Sequence, residues 1–305
     1  MPTQPTRRGF LQTSVAAALT ASALAAADAT RPDEAAQAAA KGPRLRKAVK
    51  YGMIKPGNTP LEKFELIKRL GFQGVEIDSP SGVDKEAAVK AKEKTGIDIH
   101  GVIDSEHWQV RLSDPNPDVR AKALETLKGA LRDAKLYGAT TALLVPGKVS
   151  DPKNENFEQV WERSQEQIRK ALPLAKETGV KIAIEVVWND FITKPEQLVK
   201  YVDSFQDPMV GAYFDVSNMI KYGVPPADWI RALGKRMLKF DFKGYNGDTR
   251  QWVAIGEGTE NWPDVLKALD EVGYRGWATS EVNGGDEKWL KEVSERMDRV
   301  LGLKG

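Results

Sequence analysis

The chain has 305 residues, of which 41% are hydrophobic and 29% charged, the balance of a soluble globular protein with a sizeable core. Its 45 basic and 43 acidic side chains leave a formal net charge of +2. This charge is too small to attract nucleic acid or anionic lipid, so binding to either is disfavoured. With no cysteine and two histidines, the chain cannot form disulfides, thiol nucleophiles, iron–sulfur clusters or three-histidine zinc sites, so any metal must be bound mainly by carboxylates.

The first residues have the pattern of an export signal. Arg7 and Arg8 precede a mildly apolar run, rich in Ala and Thr, over residues 14–27. This run is short and weakly hydrophobic for a membrane span of ~20 residues, which disfavours the alternative of a membrane anchor. We predict a twin-arginine signal peptide over residues 1–29 and a flexible linker over residues 30–46. The mature protein is then expected in the periplasm or another extracytoplasmic space, exported already folded and without stable membrane insertion.

From residue 47 onward, short β-branched runs alternate with longer amphipathic stretches. The predicted strands lie at residues 48–53, 74–77, 97–103, 141–145, 181–187, 211–216, 237–243 and 277–282. The stretches between them carry apolar residues at helical spacing, most clearly over residues 118–137, 157–178 and 262–272. Glycine follows several of these stretches, where a helix commonly ends in the left-handed conformation. Apolar residues are nearly continuous in the strands, which indicates burial on both faces.

Strict alternation of strand and helix predicts an α/β protein with a parallel sheet. Eight such units over residues 47–305 match a single-domain (β/α)8 barrel, the TIM barrel. The alternative is an open, doubly wound sheet, which would usually carry a glycine-rich phosphate loop after its first strand. Residues 54–58, which follow the first predicted strand, read Ile-Lys-Pro-Gly-Asn and form no such loop. The barrel is therefore the favoured fold.

Four consecutive predicted strands each carry a carboxylate within an apolar run. These residues are Glu185, Asp215, Asp241 and Glu281. Acidic side chains are rarely buried unless they are paired or bind a metal, and the strand ends of a barrel meet at one mouth. The nearest cations in sequence are Lys243 and Lys239, so a bound divalent metal is a simpler explanation than four separate salt bridges. Oxygen ligands favour Mn²⁺ or Mg²⁺, with Co²⁺, Ca²⁺ and Zn²⁺ as alternatives.

The glutamate of the fifth strand, the Phe-Asp pair of the sixth and the glutamate of the eighth resemble the xylose-isomerase-like barrel superfamily. More closely, the chain resembles its sugar phosphate isomerase/epimerase group, which includes tagatose-3-epimerase-like enzymes. The turn at residues 256–258 and the segment at residues 71–76 fit the same pattern, and the resemblance covers residues 47–301. It implies a metal held by Glu185, Asp215, Asp241 and Glu281.

The resemblance also implies a mechanism, in which Glu185 and Glu281 exchange the substrate proton on opposite faces of an enediolate. The alternative is that both glutamates only bind the metal. The chain departs from the family at two positions. Asp241 stands where a histidine is usual, and Asn218 stands where tagatose-3-epimerase-like members have a substrate-binding histidine.

Six further residues are candidate substrate contacts. They are Glu76, His107, Trp188, Asn189, Asn218 and Lys243. Trp188 either offers a flat face for a sugar ring or only packs against its neighbours. His107 can bind a hydroxyl or shuttle a proton unless it is a surface residue. Lys243 is expected to balance the charge of Asp241 or to contact a carbonyl oxygen. Glu76 either joins the pocket or pairs with a cation on a neighbouring strand. The second histidine, His100, lies inside a strand and is assigned to the core.

These observations predict an exported, metal-dependent isomerase or epimerase that abstracts a proton next to the carbonyl of an unphosphorylated sugar or sugar derivative. Phosphate is disfavoured because the chain carries no P-loop and no clear arginine cluster. The alternatives are a lyase or hydrolase that enolises 3-keto-glycosides, and a non-catalytic carbohydrate-binding barrel. The expected partner is a small-molecule carbohydrate rather than nucleic acid. The oligomeric state is left open, with a homo-oligomer as one possibility.

Overall fold

The computed structural model describes residues 44–153 and 155–303, in which eight parallel strands alternate with eight α-helices. The barrel strands are β1 (Leu45–Lys50), β2 (Gly74–Ser79), β3 (Asp98–Asp104), β4 (Thr141–Leu144), β5 (Lys181–Glu185), β6 (Val210–Asp215), β7 (Met237–Phe242) and β10 (Gly276–Ser280). A short antiparallel hairpin lies between β7 and β10 and consists of β8 (Gly244–Asn246) and β9 (Gln251–Val253). The helices are α1 (Pro60–Arg69), α2 (Lys85–Thr95), α3 (Pro117–Tyr137), α4 (Phe157–Thr178), α5 (Pro195–Asp203), α6 (Pro226–Leu233), α7 (Trp262–Glu271) and α8 (Glu287–Leu301).

The eight barrel strands close into a ring in the order β1-β10-β7-β6-β5-β4-β3-β2. Each strand pairs in parallel with both neighbours, and β1 closes the ring against β10 and β2. This confirms the predicted (β/α)8 barrel. Within the described residues, every helix is too short or too polar to span a lipid bilayer.

The first strand begins earlier than predicted. Leu45 is buried and pairs with Gly276, so β1 takes in two residues of the expected linker at 30–46. The predicted end of this strand, residues 51–53, instead forms a single 3₁₀ turn. Pairing with β10 sets these bounds, and apolar periodicity alone does not reveal it. The predicted signal peptide at residues 1–29 lies outside the described residues.

The helix ends follow local sequence signals. Thr59 and Glu62 form a reciprocal capping box at the start of α1, which satisfies backbone N–H groups that have no partner inside the helix. Gly138 and Gly179 end α3 and α4 in the left-handed conformation, as predicted. Such caps explain why the predicted bounds of the long helices agree with the observed bounds to within one residue.

The interior of the barrel is polar beneath its mouth. Glu76 accepts a hydrogen bond from the Tyr213 hydroxyl at 2.9 Å. The Lys239 ammonium donates to the carbonyl oxygen of His100 and, at 2.8 Å, to the hydroxyl of Thr141. Burial lowers the pKa of Lys239 to about 7. His100 is buried in this layer and stacks on Trp277, as its assignment to the core predicted.

Candidate active site

The four predicted carboxylates meet at the carboxyl ends of four adjacent strands. Glu185 ends β5, Asp215 ends β6, Asp241 lies in β7 and Glu281 directly follows β10. Asp215 and Asp241 are register partners on neighbouring strands. One carboxylate oxygen from each of the four residues lies within 4.8 Å of the others. The barrel therefore brings together side chains that are up to 96 positions apart in the chain.

Burial of this carboxylate cluster perturbs its acidity. Burial raises the pKa of Glu185 well above its usual range, and repulsion from Asp241 and Glu281 adds to the effect. Burial likewise raises the pKa of Asp241 and of Asp215, although nearby lysines oppose the shift. Glu281 behaves differently, because the attraction of Lys50 and Lys243 outweighs burial and lowers its pKa to about 2. The cluster thus contains carboxyl groups of contrasting acidity.

Two lysines reach into the carboxylate cluster, and the sequence analysis identified only one of them. The Lys50 ammonium, at the end of β1, lies 2.8 Å from Asp241 Oδ2 and 3.3 Å from Glu76 Oε2. The Lys243 ammonium lies 2.8 Å from Asp215 Oδ2 and also contacts Glu281. The direct ion pair of Asp241 is with Lys50, whereas Lys243 pairs with Asp215 and Glu281. The charge of Lys243 still acts on Asp241 and opposes the rise of its pKa, in line with the expected charge balance.

Lys239, the other lysine close to these acids in the sequence, does not reach the cluster, because its ammonium is bound in the layer below. Lys50 was missed because the predicted bounds of the first strand placed it in the middle of the strand. As the last residue of β1 it lies at the mouth, where the side chains that follow each strand converge.

The carboxylate cluster fits a divalent cation. Four carboxylates are faced by two ammonium groups, and Lys50 also pairs with Glu76, so the lysines leave negative charge that a divalent ion would compensate. Asp241 Oδ1 is buried without a hydrogen-bond partner among the described residues. The other aspartate is held in place, because Asp215 Oδ1 accepts the backbone N–H groups of Ser217 at 2.7 Å and Asn218 at 2.8 Å. An all-oxygen ligand set of this kind suits hard ions.

A cavity of about 390 Å³ opens above the carboxylate cluster. Its lining residues are Lys50, Ile103, His107, Trp108, Leu143, Glu185, Val187, Trp188, Asn218, Lys243, Trp252 and Glu281. The two glutamates of the cluster therefore face the cavity, whereas Asp215 and Asp241 are fully buried and do not line it. This division suits a site in which Glu185 and Glu281 contact a substrate while Asp215 and Asp241 only bind an ion.

Four of the six predicted substrate contacts line this cavity: His107, Trp188, Asn218 and Lys243. His107 is buried rather than on the surface, and burial together with the positive charge of Lys50 lowers its pKa to about 3. Its Nδ1 accepts the backbone N–H of Val145 at 3.4 Å, so the ring is neutral and carries its proton on Nε2. His107 can therefore donate a hydrogen bond but is not a general acid at neutral pH.

The other two predicted contacts do not line the cavity. The Asn189 side chain bonds to the carbonyl oxygen of Gly147 and the backbone N–H of Phe191, so it holds a loop instead of a substrate. Glu76 is buried below the cavity, where Lys50 and the Tyr213 hydroxyl contact it. Of the two roles considered for Glu76, the structure supports pairing with a cation on a neighbouring strand.

Trp252 is a cavity residue that the sequence analysis missed. It lies on β9 and stacks on Trp188, with ring centroids 4.8 Å apart and planes 18° apart. Tyr245, its partner across the hairpin, packs against the same ring at 4.9 Å. The segment between β7 and α7 has few apolar residues, but the alternation in Gln251-Trp252-Val253 is a weak strand signal that could have indicated the hairpin.

The fold and the site define a TIM barrel with a carboxylate centre at its mouth. Residues 64–300 match the family model described as "Xylose isomerase-like TIM barrel", and the chain belongs to this family. L-ribulose-5-phosphate 3-epimerase UlaE from Escherichia coli O1:K1 / APEC is 23% identical over 231 residues, which are 72% of this chain and 81% of that protein.

Two solved structures illustrate the shared fold. The apo form of 3-keto-D-glucoside 4-epimerase, YcjR, from E. coli superposes with a TM-score of 0.72 at 16% identity, covering 84% of this chain and 98% of that one. The IOLI protein with a bound zinc atom also has a TM-score of 0.72 at 16% identity, covering 85% and 98%. At this level of identity the likeness shows the fold alone.

Proposed function

We propose that this protein is an exported, metal-dependent isomerase or epimerase that moves a proton next to the carbonyl of an unphosphorylated sugar or sugar derivative. The observation that carries this proposal is the division within the carboxylate cluster. Glu185 and Glu281 project from the two ends of an arc of four strands and line the cavity. Asp215 and Asp241 occupy the two strands between them and are buried. A sugar in the cavity would meet one carboxyl group from each side.

The carboxylate cluster would hold the metal through Glu185, Asp215, Asp241 and Glu281. A divalent cation at this position supplies Lewis acidity, which polarises a carbonyl and acidifies the neighbouring C–H bond. The buried, unpartnered Asp241 Oδ1 supports a cation there independently of the comparisons. The IOLI protein, which has the same fold and a bound zinc atom, is consistent with this assignment.

The side chains of the cavity have separate tasks in this proposal. Glu185 and Glu281 accept and return the proton, one on each face of the substrate carbon. His107 donates a hydrogen bond from Nε2 to a substrate oxygen. Trp188 lines the cavity with Trp252 stacked on its ring, and its indole N–H donates to the carbonyl oxygen of Asn218 at 2.6 Å. This bond keeps the Trp188 ring in one orientation.

The preference for an unphosphorylated substrate rests on the charges of the cavity. Lys50 and Lys243 are its lining cations among the described residues, and both are ion-paired with carboxylates of the cluster or beside it. Neither ammonium is free for a phosphate, which usually binds to arginine forks or backbone N–H groups. UlaE, by its name, acts on a sugar phosphate, so the proposal departs from that relative.

Metal content is the first test. The purified protein, the Asp241→Ala variant and the control Glu166→Gln, an exposed carboxylate on α4, are loaded with Mn²⁺, Mg²⁺, Co²⁺, Zn²⁺ or Ca²⁺ and analysed by mass spectrometry. We expect one divalent ion per chain in the protein and the control, and little in Asp241→Ala. Absence of bound metal under every loading condition would reject the mechanism and favour a carbohydrate-binding protein.

Proton transfer is the second test. Exchange of solvent deuterium into a panel of free keto-sugars and 3-keto-glycosides is followed by NMR. For the sugar that exchanges, Glu185→Gln and Glu281→Gln should each reduce the rate by about 10²-fold or more, the usual contribution of a positioned acid or base. Glu166→Gln should have no effect. Metal binding without any exchange would identify a binding protein, and release of an aglycone would identify a lyase or hydrolase.

A further inference from the structure

Two half-exposed tryptophans border the mouth of the cavity. Trp108 is 52% exposed and Trp252 is 49% exposed, and both line the cavity. Among the described residues, the other large hydrophobic side chain with comparable exposure is Leu136, which lies on α3 and does not line the cavity. Exposed aromatic surface beside a pocket commonly marks a place where a ligand rests.

The two tryptophans approach the mouth from opposite sides of the barrel. Trp108 follows β3, and Trp252 lies in the hairpin that follows β7. In the closed ring of eight strands, β3 and β7 are separated by three strands in either direction, so they are diametrically opposed. Both side chains line the same cavity, so a ligand that extends from the carboxylate cluster toward solvent has an indole within reach on each of these two loops.

The Trp252 side of the mouth is a pre-organised surface. Stacking on Trp188 covers one face of the Trp252 ring, and Tyr245 supports it from the neighbouring strand of the hairpin. Trp188 is itself fixed by its hydrogen bond to Asn218. Because these contacts already order the ring, binding a ligand to its remaining surface costs little side-chain entropy.

The loop that carries Trp108 is held in place by ion pairs and a hydrogen bond. Arg111, three residues further along, donates to the carbonyl oxygen of Lys148 at 2.9 Å and pairs with the buried carboxylate of Glu155 at 3.3 Å. Arg163 on α4 binds the other oxygen of Glu155 at 3.3 Å. The Trp108 ring contacts His107 edge-on, with centroids 5.0 Å apart, which leaves its indole largely open to the mouth.

The floor and the mouth of the cavity therefore have different chemistry. Carboxylates and ammonium groups form the floor, whereas flat aromatic rings form the mouth. We infer that the mouth is a binding site for a second ring, so that the substrate is a sugar joined to another sugar by a glycosidic bond. The reactive ring lies on the carboxylate floor, and the second ring lies between Trp108 and Trp252. This inference rests on the proposed function for the reactive ring.

The experiment compares ligands that differ by one ring. Dissociation constants are measured by calorimetry on the metal-loaded protein for D-fructose against lactulose and isomaltulose, methyl β-D-glucoside against cellobiose, and methyl α-D-glucoside against maltose. At least one two-ring member should bind about tenfold more tightly than its one-ring counterpart, the gain expected from stacking on two aromatic rings. Trp108→Ala and Trp252→Ala should each remove most of that preference.

Controls separate binding at the mouth from a loss of structure. Leu136→Ala removes an equally exposed side chain elsewhere and should leave the preference unchanged, and Trp252→Tyr should retain most of it because a flat ring remains. Equal binding of all one-ring and two-ring pairs, or a preference that survives both alanine substitutions, overturns the inference. Metal content and deuterium exchange report on the carboxylate floor alone, so a failure of the proposed function would be recognised separately.

Discussion

Lys50 shows how much one residue contributes to the electrostatics of the candidate site. Burial opposes its charge, yet the attraction of Asp241 and of Glu76 raises its pKa well above the usual range. Its ammonium pairs with Asp241 at 2.8 Å, and neither carboxylate oxygen of that aspartate is exposed to solvent. An aspartate at this position is therefore compatible with a folded barrel because a cation lies beside it.

Replacing Lys50 by methionine should destabilise the metal-free protein by about 3 kcal/mol, because it leaves a buried carboxylate without its partner. A divalent cation should then stabilise Lys50→Met more than it stabilises the unmodified protein, since the competing ammonium is gone. Urea denaturation in EDTA and in saturating Mn²⁺ measures both effects. Lys128→Met, which removes the more exposed pair with Glu125, is the control and should cost less than about 1 kcal/mol. An equal response of Lys50→Met and Lys128→Met would contradict this account.

Asp104 predicts a pH dependence of stability. It is buried at the end of β3, and its hydrogen bonds from Thr126 and from the backbone of Glu106 are both long, at 3.4 Å. Burial raises its pKa to about 7. Between about pH 4 and pH 7 the folded protein therefore keeps a proton that the unfolded chain has lost. Its contribution to stability must fall as the pH rises through this window.

Asp104→Asn should remove this loss of stability. At pH 8 the variant should be more stable than the unmodified protein by up to roughly 4 kcal/mol, the free energy that corresponds to the raised pKa. Below pH 4, where the aspartate is protonated in both states, the difference should nearly vanish. Denaturation curves at pH 4, 6 and 8 test the prediction. Parallel pH profiles of the two proteins would show that Asp104 is already ionised in the fold.

At the scale of elements, the β8–β9 hairpin and the loop before α7 form one unit. The buried carboxylate of Glu260 accepts the backbone N–H of Tyr245 at 2.6 Å and the hydroxyl of Ser217 at 3.1 Å. Ser217 in turn donates its backbone N–H to Asp215. The element that carries Trp252 is thus joined to the end of β6, which carries one of the candidate metal ligands.

Gly258 allows the loop before α7 to pack closely against the β8–β9 hairpin. A Cβ atom at this position would lie 2.4 Å from both the carbonyl oxygen of Tyr245 and Oε2 of Glu260, and the carbonyl cannot move independently of the hairpin. Gly258→Ala should therefore destabilise the protein by about 1–3 kcal/mol. Gly129→Ala is the matched control, because Gly129 lies in α3 with no atom close to the new methyl group. It should instead stabilise by about 0.5–1 kcal/mol, and thermal denaturation distinguishes the two signs.

Local signals predicted the elements well because those signals act within a few residues. The capping residues and the C-terminal glycines of α3 and α4 lie next to the helix ends that they define. The hairpin and the first strand were less predictable for a different reason. β1 is bounded by its pairing with β10, more than 200 residues away, and the hairpin consists of two three-residue strands.

At the scale of the whole molecule, closure of the barrel creates the candidate site. The acids of β5, β6, β7 and β10 become neighbours because these strands are adjacent in the ring, and Lys50 joins them because β1 is next to β10. The same closure places β3, which precedes Trp108, opposite β7, which precedes the hairpin of Trp252. The cavity, the charge balance of the carboxylate cluster and the aromatic mouth are therefore properties of the closed ring and not of any single strand–helix unit.

Export concerns the whole chain. The paired arginines near the start lead us to expect that Arg7→Lys combined with Arg8→Lys retains the protein in the cytoplasm of an expressing bacterium. Immunoblots of periplasmic and cytoplasmic fractions measure the distribution. Arg31→Lys, which lies beyond the signal pattern, should not change it. Unaltered export of the double variant would argue against a twin-arginine signal.

The sequence by itself determined the alternation of strands and helices, hence the barrel, and it identified the four carboxylates, because periodicity and an acid within an apolar run are local patterns. Only the tertiary structure decided which side chains face the cavity and which cation meets which acid. Asn189 and Glu76 were predicted to contact the substrate but do not line the cavity. Lys50 and Trp252 line it although they were not predicted to. The physical reason is that ion pairing and access to the cavity depend on distances between strands, and closure of the ring sets those distances.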